Sequence, residues 1–323
     1  MVRVVNVIVS CTNRKRFAGP PATAVHEIGG KNLPERLKLW KNNLRSAATE
    51  EHRADDLYMG DHWSVVRSIP GEAGKSGVQV QLWICSAGYG LIRQQTPIKP
   101  YRATFTRGEI DYIASGLVEN QHTLHDWWAG VCAYRSSALD GTPRTLSALA
   151  ATFPRTPMLV ALSADYLKAV TADLGSVLSR AFFRDHLSII SCGTSSNHSI
   201  WKQQLLPCDA SLSGSLGGTL TSLNARVARR LLQSVNRRAL TVDQLGELSR
   251  TIDRGPRRLA PLRTAKSDSD VEAFIRAHLA EYPTTSKTKL LQDFRINGHA
   301  CEQKRFGEIY SRVRHEPLLG TNA

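Results

Sequence analysis

Three short polar runs follow apolar, β-branched stretches, and each carries groups able to bind or transform a ligand. Ser10-Cys11-Thr12-Asn13-Arg14-Lys15 follows the run at 3–9. Its Asn13 amide and Lys15 ammonium are suited to read a base edge, hold a phosphate or stabilise an oxyanion. Ser10 supplies a hydroxyl beside them. Ser86-Ala87-Gly88-Tyr89-Gly90 follows the run at 78–85, and the glycines flanking Tyr89 predict close approach of backbone to a ligand. Pro100-Tyr101 adds a second ring from the same loop, so Tyr89 and Tyr101 are placed to stack a planar base. Ser163-Ala164-Asp165-Tyr166 follows the run at 158–162. Asp165 and Asp56, the latter in Asp55-Asp56-Leu57-Tyr58-Met59-Gly60-Asp61, are the candidate carboxylates. Glycosyl transfer needs such a group to orient water or to oppose charge on an oxocarbenium ion. A helix cap at Asp56 and a first-turn acid at Asp165 remain the plain alternatives.

Other chemistries lack their signatures. There is no G-x-x-x-x-G-K-[ST], no G-x-G-x-x-G and no G-x-S-x-G, so the usual marks of NTP hydrolysis, dinucleotide binding and α/β-hydrolase catalysis are missing. Cys11, Cys85, Cys132, Cys192, Cys208 and Cys301 form no C-x-x-C pair, and His198 between two of them matches no common ligand spacing. No metal and no cofactor is expected, and the six cysteines are read as free thiols.

Positioning these loops calls for strands at 3–9, 78–85, 158–162 and 187–191, each feeding a loop or helix. Strands alternating with helices predict an α/β fold with a largely parallel sheet flanked by helices. Helices are expected at 35–48 and 52–68, with a turn at 70–77. Residues 86–105 read as a long loop. Thr106 with Glu109 reads as a capping box opening a helical region that continues to 151. Beyond a Ser/Gly-rich stretch ending at Gly218 the pattern is helical only, at 219–236, 241–254, 269–281, 287–296 and 302–314. Thr241 with Gln244 and Ser269 with Glu272 read as capping boxes. The expected organisation is an α/β catalytic domain at 1–218 and a basic helical module at 219–323. The end of that module resembles a helix-turn-helix around Asn297-Gly298-His299.

The 323-residue chain carries 42 Lys and Arg against 28 Asp and Glu, a net charge of +14. From Ala225 onward the count is 19 against 11, so this last third holds most of the excess. A polyanionic partner gains from phosphate neutralisation and counterion release. Double-stranded DNA is the expected partner. Arg226, Arg229, Arg230, Arg257, Arg258, Lys287, Lys304 and Arg305 are the candidate contacts. No run is long and apolar enough to suggest a membrane span, and the apolar start reads as a buried strand rather than a signal peptide. The expected compartment is the cytoplasm, with no obligate protein partner.

The ordered motifs S-C-T-N-R-K, D-L-Y-M-G, I-C-S-A-G-Y-G-L-I, P-I-K-P-Y-R and L-S-A-D-Y-L-K span about Val4 to Lys168. In this order the chain resembles the YaaA-like superfamily, which includes the peroxide-stress DNA-binding proteins and related proteins of phage and defence loci. Its patterns D-x-Y-x-G, S-x-x-Y-G and P-Y fall on Asp56, Tyr58 and Gly60, on Ser86, Tyr89 and Gly90, and on Pro100 and Tyr101. An acidic residue followed by Tyr falls on Asp165-Tyr166. Asn13-Arg14 stands where the peroxide-stress proteins have a P-A-K core, and Gly217-Gly218-Thr219 only loosely follows their K-x-x-R-G segment. By analogy with antiphage DNA glycosylases, the resemblance implies base flipping and excision of a modified base, such as glucosylated hydroxymethylcytosine, from phage DNA. Asn13, Lys15, Tyr58, Tyr89 and Tyr101 would then hold the base, while Asp56 or Asp165 supports its departure. A non-catalytic DNA-binding stress protein, and an enzyme editing a deazaguanine base through Cys11 or Cys85, are the alternatives.

Overall fold

The computed structural model describes residues 3–192, 200–236, 238–255 and 263–315. The central sheet has five strands: β1 (Arg3–Ser10), β2 (Val78–Ser86), β3 (Gly90–Arg93), β4 (Met158–Ala161) and β5 (Leu187–Ile190). Their order is β3-β2-β1-β4-β5. β1 pairs in parallel with β2 and β4, and β4 in parallel with β5. Val5, Val7, Ile8 and Val9 are all buried, as a parallel strand covered on both faces requires. Asn6 is buried among them, and its Oδ1 accepts from Trp83 Nε1 at 2.9 Å, so its carbonyl is satisfied within the sheet.

Within this sheet only β3 is antiparallel, hairpinned to β2 through Ser86↔Gly90, and His52–Arg53 forms a separate antiparallel pair with Pro97–Ile98. The stretch expected to be a loop throughout therefore contains an edge strand. Gly90 reverses the chain there at φ 75°, with a built Cβ falling 2.9 Å from Cys132 Cα. The expected helix from Thr106 does not form either. Residues 103–122 are turns and bends with one isolated bridge, Thr104 to Tyr112, and the first helix of this region is Thr123–Cys132. Gly108 and Gly116 take φ of 83° and 73°, and Thr104 N–H bonds to Asp111 C=O at 2.9 Å, so local bonding replaces the helical ladder.

Flanking helices include Leu33–Ser46, Asp61–Gly74, Ala164–Ala169 and Leu223–Ser234. The helix expected at 52–68 is broken at Tyr58–Gly60 into Ala54–Leu57 and Asp61–Gly74, with Gly60 at φ 98°. The second piece continues through Pro70, where a turn was expected.

The described chain divides into two compact units, Met1–Arg257 and Arg258–Ala323, so the boundary lies well beyond the expected 218. The reason is the helix Leu223–Ser234. It buries Leu223, Val227, Leu231 and Leu232 in the α/β core, against Asp61–Gly74 and the sheet. Cys192 and Cys208 are joined in a disulfide with a Cα–Cα distance of 4.8 Å, which corrects the expectation of six free thiols. His198 lies outside the described residues.

The second unit has its own core around Val271, Ile275, Leu290, Phe294, Phe306 and Ile309. Its helices are Asp268–Glu281, Lys287–Ile296 and Gln303–His315, and Thr264–Ala265 pairs in parallel with His299–Ala300. The capping box of the first helix is Ser267 with Asp270, two residues before the expected pair. The last two helices flank a turn with Gly298 at φ 77°, in keeping with the expected helix–turn–helix outline.

Candidate active site

From β1 the chain moves outward to β2, and from β4 it moves outward to β5 on the other side. The crevice beyond the C-terminal ends of β1 and β4 is therefore the topological switch point, where open α/β sheets bind ligands. The loops after these strands meet there: Cys11 Sγ lies 3.1 Å from Tyr166 Oη.

Beneath this point lies a bonded chain of hydroxyls. Ser86 Oγ is 2.7 Å from Tyr101 Oη, which is 2.8 Å from Tyr58 Oη. Ser86 Oγ also accepts from the backbone N–H of Gly88 and Tyr89, at 3.2 and 3.0 Å. Burial pushes the Tyr58, Tyr101 and Tyr166 hydroxyls well above the usual phenol range. Tyr58, Tyr89 and Tyr101 are all buried, and their packed rings form the floor of the site. Gly88 is explained by the same floor, since a built Cβ would fall 2.5 Å from the Tyr101 ring. The close approach predicted there is to Tyr101, not to a ligand.

Lys15 stands on this floor. Its Nζ lies 4.1 Å from the Tyr101 ring centroid and 5.6 Å from that of Tyr58, and donates to Thr12 C=O at 2.9 Å. The backbone holds it firmly: Lys15 bridges Tyr58, Arg16 N–H bonds to Leu57 C=O and Met59 N–H to Arg14 C=O. Desolvation, partly offset by Cys11 and Asp111, lowers its pKa to about 8.

A carboxylate that sequence reasoning missed completes the cluster. Asp111 is buried, with Oδ1 2.6 Å from His26 Nδ1 and Oδ2 accepting from Asn13 Nδ2 at 3.2 Å. Arg102 Nε is 4.0 Å from the same carboxylate, and His26 Nε2 is 3.0 Å from Glu27 Oε1. Like Asn6 Nδ2 and Trp63 Nε1 in the core, Asn13 Oδ1 is buried without a hydrogen-bond partner. Arg14, Arg16 and Arg102 are exposed around it and give the mouth a cationic rim.

The other candidates are placed elsewhere. Asp56 is exposed and its carboxylate pairs with Arg53 at 3.7 Å, outside the cluster. Asp165 is half-buried and 3.8 Å from Lys168 Nζ, near the cluster through its neighbour Tyr166. Ser10 contributes its carbonyl, which accepts from His62 Nε2 at 3.1 Å. Among the described residues no group of three or more His, Cys, Asp or Glu is arranged to hold a metal ion.

The candidate DNA contacts differ in availability. Arg226 is engaged by Asp61 at 2.6 Å and by Ser222 at 3.0 Å. Arg229 reaches Ser68 Oγ at 3.2 Å, while Arg230 is exposed. All three line a groove of about 340 Å³ with Ser215 and Gln233. In the second unit Lys287 is exposed and lines a groove of about 750 Å³ with Gln303 and Ser311, whereas Arg305 is tied to Asp268 at 2.5 Å. Arg257 and Arg258 lie outside the described residues, as does the Lys304 side chain. No helix among the described residues is long and apolar enough to cross a membrane.

No protein-family model, no curated protein and no solved structure matches the chain; the resemblance to the YaaA-like superfamily rests on the motifs quoted above.

Proposed function

We propose that the protein is an N-glycosidic-bond hydrolase that releases a modified base from DNA. The observation that carries this reading is the buried Asp111 carboxylate, braced by His26 and Asn13 beside Lys15 at the sheet's switch point. A carboxylate fixed by two partners is suited to orient water and to oppose positive charge on the departing sugar. Asn13 Oδ1, buried and unpartnered, is suited to accept from the edge of a flipped base. The cationic rim and the +14 charge suit a phosphate backbone. In this reading Asp111 takes the role that the sequence pattern assigns to Asp56 or Asp165.

The test incubates the protein with unmodified DNA and with hypermodified phage DNA. Alkali cleavage then scores abasic sites and mass spectrometry scores released base. Abasic sites in the modified DNA are the expected result; their absence on every substrate overturns the reading. One observation favours a second reading. The Cys11 thiol, 3.1 Å from Tyr166 Oη at the same crevice, suits covalent attack on a base substituent such as a deazaguanine nitrile. That chemistry alters the base without leaving an abasic site, and Cys11→Ala abolishes it.

The arginine groove makes a separate prediction. Arg230→Ala and Arg229→Ala are each expected to weaken duplex binding equally for all sequences and to reduce the slope of log K against log salt by about 1. Arg226→Ala chiefly lowers stability, because Arg226 already holds Asp61. Fluorescence-anisotropy titrations at several salt concentrations, with thermal melts, separate the two. Unchanged salt slopes for Arg230→Ala would remove this groove from the DNA surface.

A further inference from the structure

The lysine of the cluster is built differently from a phosphate-holding lysine. A lysine that grips phosphate keeps a strongly hydrated ammonium on a flexible stem. Lys15 instead sits on two buried tyrosine rings, with its backbone pinned on both sides by 57–59. Among the described residues no carboxylate lies within ion-pair distance of Nζ, and the Thr12 carbonyl is its bonded acceptor. An amine pinned over packed rings keeps a minor neutral fraction at neutral pH, larger than that of a free lysine, and that fraction attacks carbonyl carbon. It stands at the same crevice as Asp111, where the proposed base release would leave a sugar.

We propose that Lys15 forms an imine with the C1′ aldehyde of an abasic deoxyribose and so cleaves the DNA strand 3′ to the lesion. The inference rests on the base-release reading only for the source of that aldehyde. In the step, the neutral Nζ adds to C1′ of the ring-opened sugar, forming the C–N bond as the carbonyl π pair moves to oxygen. Loss of water leaves a protonated imine. The imine acidifies C2′; a base takes one C2′ proton, the C2′–H electron pair forms the C2′–C3′ double bond, and the 3′-phosphate departs. Hydrolysis of the imine returns the free amine. No oxidant or reductant is consumed.

Preformed abasic DNA, made by removing uracil from a defined oligonucleotide, tests the step without relying on base release. The full-length protein is incubated with it in the presence of borohydride, which reduces an imine to a stable amine. The expected result is a covalent protein–DNA adduct that maps by peptide mass spectrometry to Lys15, and strand cleavage when borohydride is omitted. Lys15→Met is expected to lose both. If that variant does not fold, the wild-type adduct map decides alone. No adduct, or an adduct on another amine, overturns the inference. Base released from modified DNA together with no adduct overturns it while leaving the hydrolase reading intact. A Lys15 adduct with no base release from any DNA supports it and overturns the hydrolase reading.

Discussion

Asp111→Asn is expected to slow base release by on the order of 10²–10⁴-fold with little change in duplex affinity, while Asp56→Asn changes neither. Asp111 is buried among donors at the switch point, whereas Asp56 is exposed and pairs with Arg53. The amide keeps the shape of the carboxylate but loses its charge and one acceptor. Its N–H₂ faces either Asn13 Nδ2, a buried donor–donor mismatch that costs about 1–3 kcal/mol, or His26 Nδ1, which accepts when the ring carries its proton on Nε2 towards Glu27. Thermal melts therefore accompany the single-turnover rates, which are compared under conditions where the variant is fully folded. A folded Asp111→Asn protein with the wild-type rate would remove Asp111 from the chemistry. Loss of rate in Asp56→Asn would return the role to the residue the D-x-Y-x-G pattern points to.

Asp111 was hidden by the same signal that misled the secondary structure. Thr106 and Glu109 have capping-box spacing, and on a helix Asp111 would be one more surface acid. The capping signal is local, whereas the fold of 103–122 is set by contacts distant in sequence: Asn13 and His26 hold the Asp111 carboxylate from two other loops. The strands are legible because buried β-branched runs such as Val5–Val9 have few other uses. β3 is not, since Gly90–Arg93 is a short strand that follows a reversal at glycine. Tyr58, Ser86, Tyr89 and Tyr101 were picked out from their loops, but burial is not visible in spacing, and they prove to be the floor beneath Lys15. By its arginines the helix 223–234 reads as part of a DNA-binding module. Its apolar face, Leu223, Val227 and Leu231, instead ties it to the sheet domain.

Lys15→Met is expected to stabilise the protein at pH 7 by about 1 kcal/mol while removing the imine. The shift from 10.5 to about 8 corresponds to a penalty of roughly 3 kcal/mol for keeping the ammonium charged in its desolvated position. Lys15 is half-buried, so solvent screening reduces that figure. Methionine also gives up the ring contact, about 0.5–1 kcal/mol, and the bond to Thr12, about 0.5–1.5 kcal/mol. It keeps an unbranched apolar stem over the tyrosines. The pH dependence has a definite sign. Between about 8 and 10.5 the unfolded chain binds the Lys15 proton and the folded protein has released it, so wild-type stability rises with pH across that window. The advantage of the variant is therefore full below pH 8 and shrinks towards pH 10.5. Cys11, Asp111, Arg102, Tyr58 and Tyr101 face the same amine and are common to both proteins, so the difference between the two isolates Lys15. Urea midpoints for both proteins at pH 7, 8, 9 and 10 measure it. A variant less stable than wild type at pH 7, or a gap that does not change with pH, would make Lys15 a structural cation whose charge the fold needs. A narrowing gap would mean that the fold bears a cost for this amine, as expected of a group kept for reaction rather than for stability.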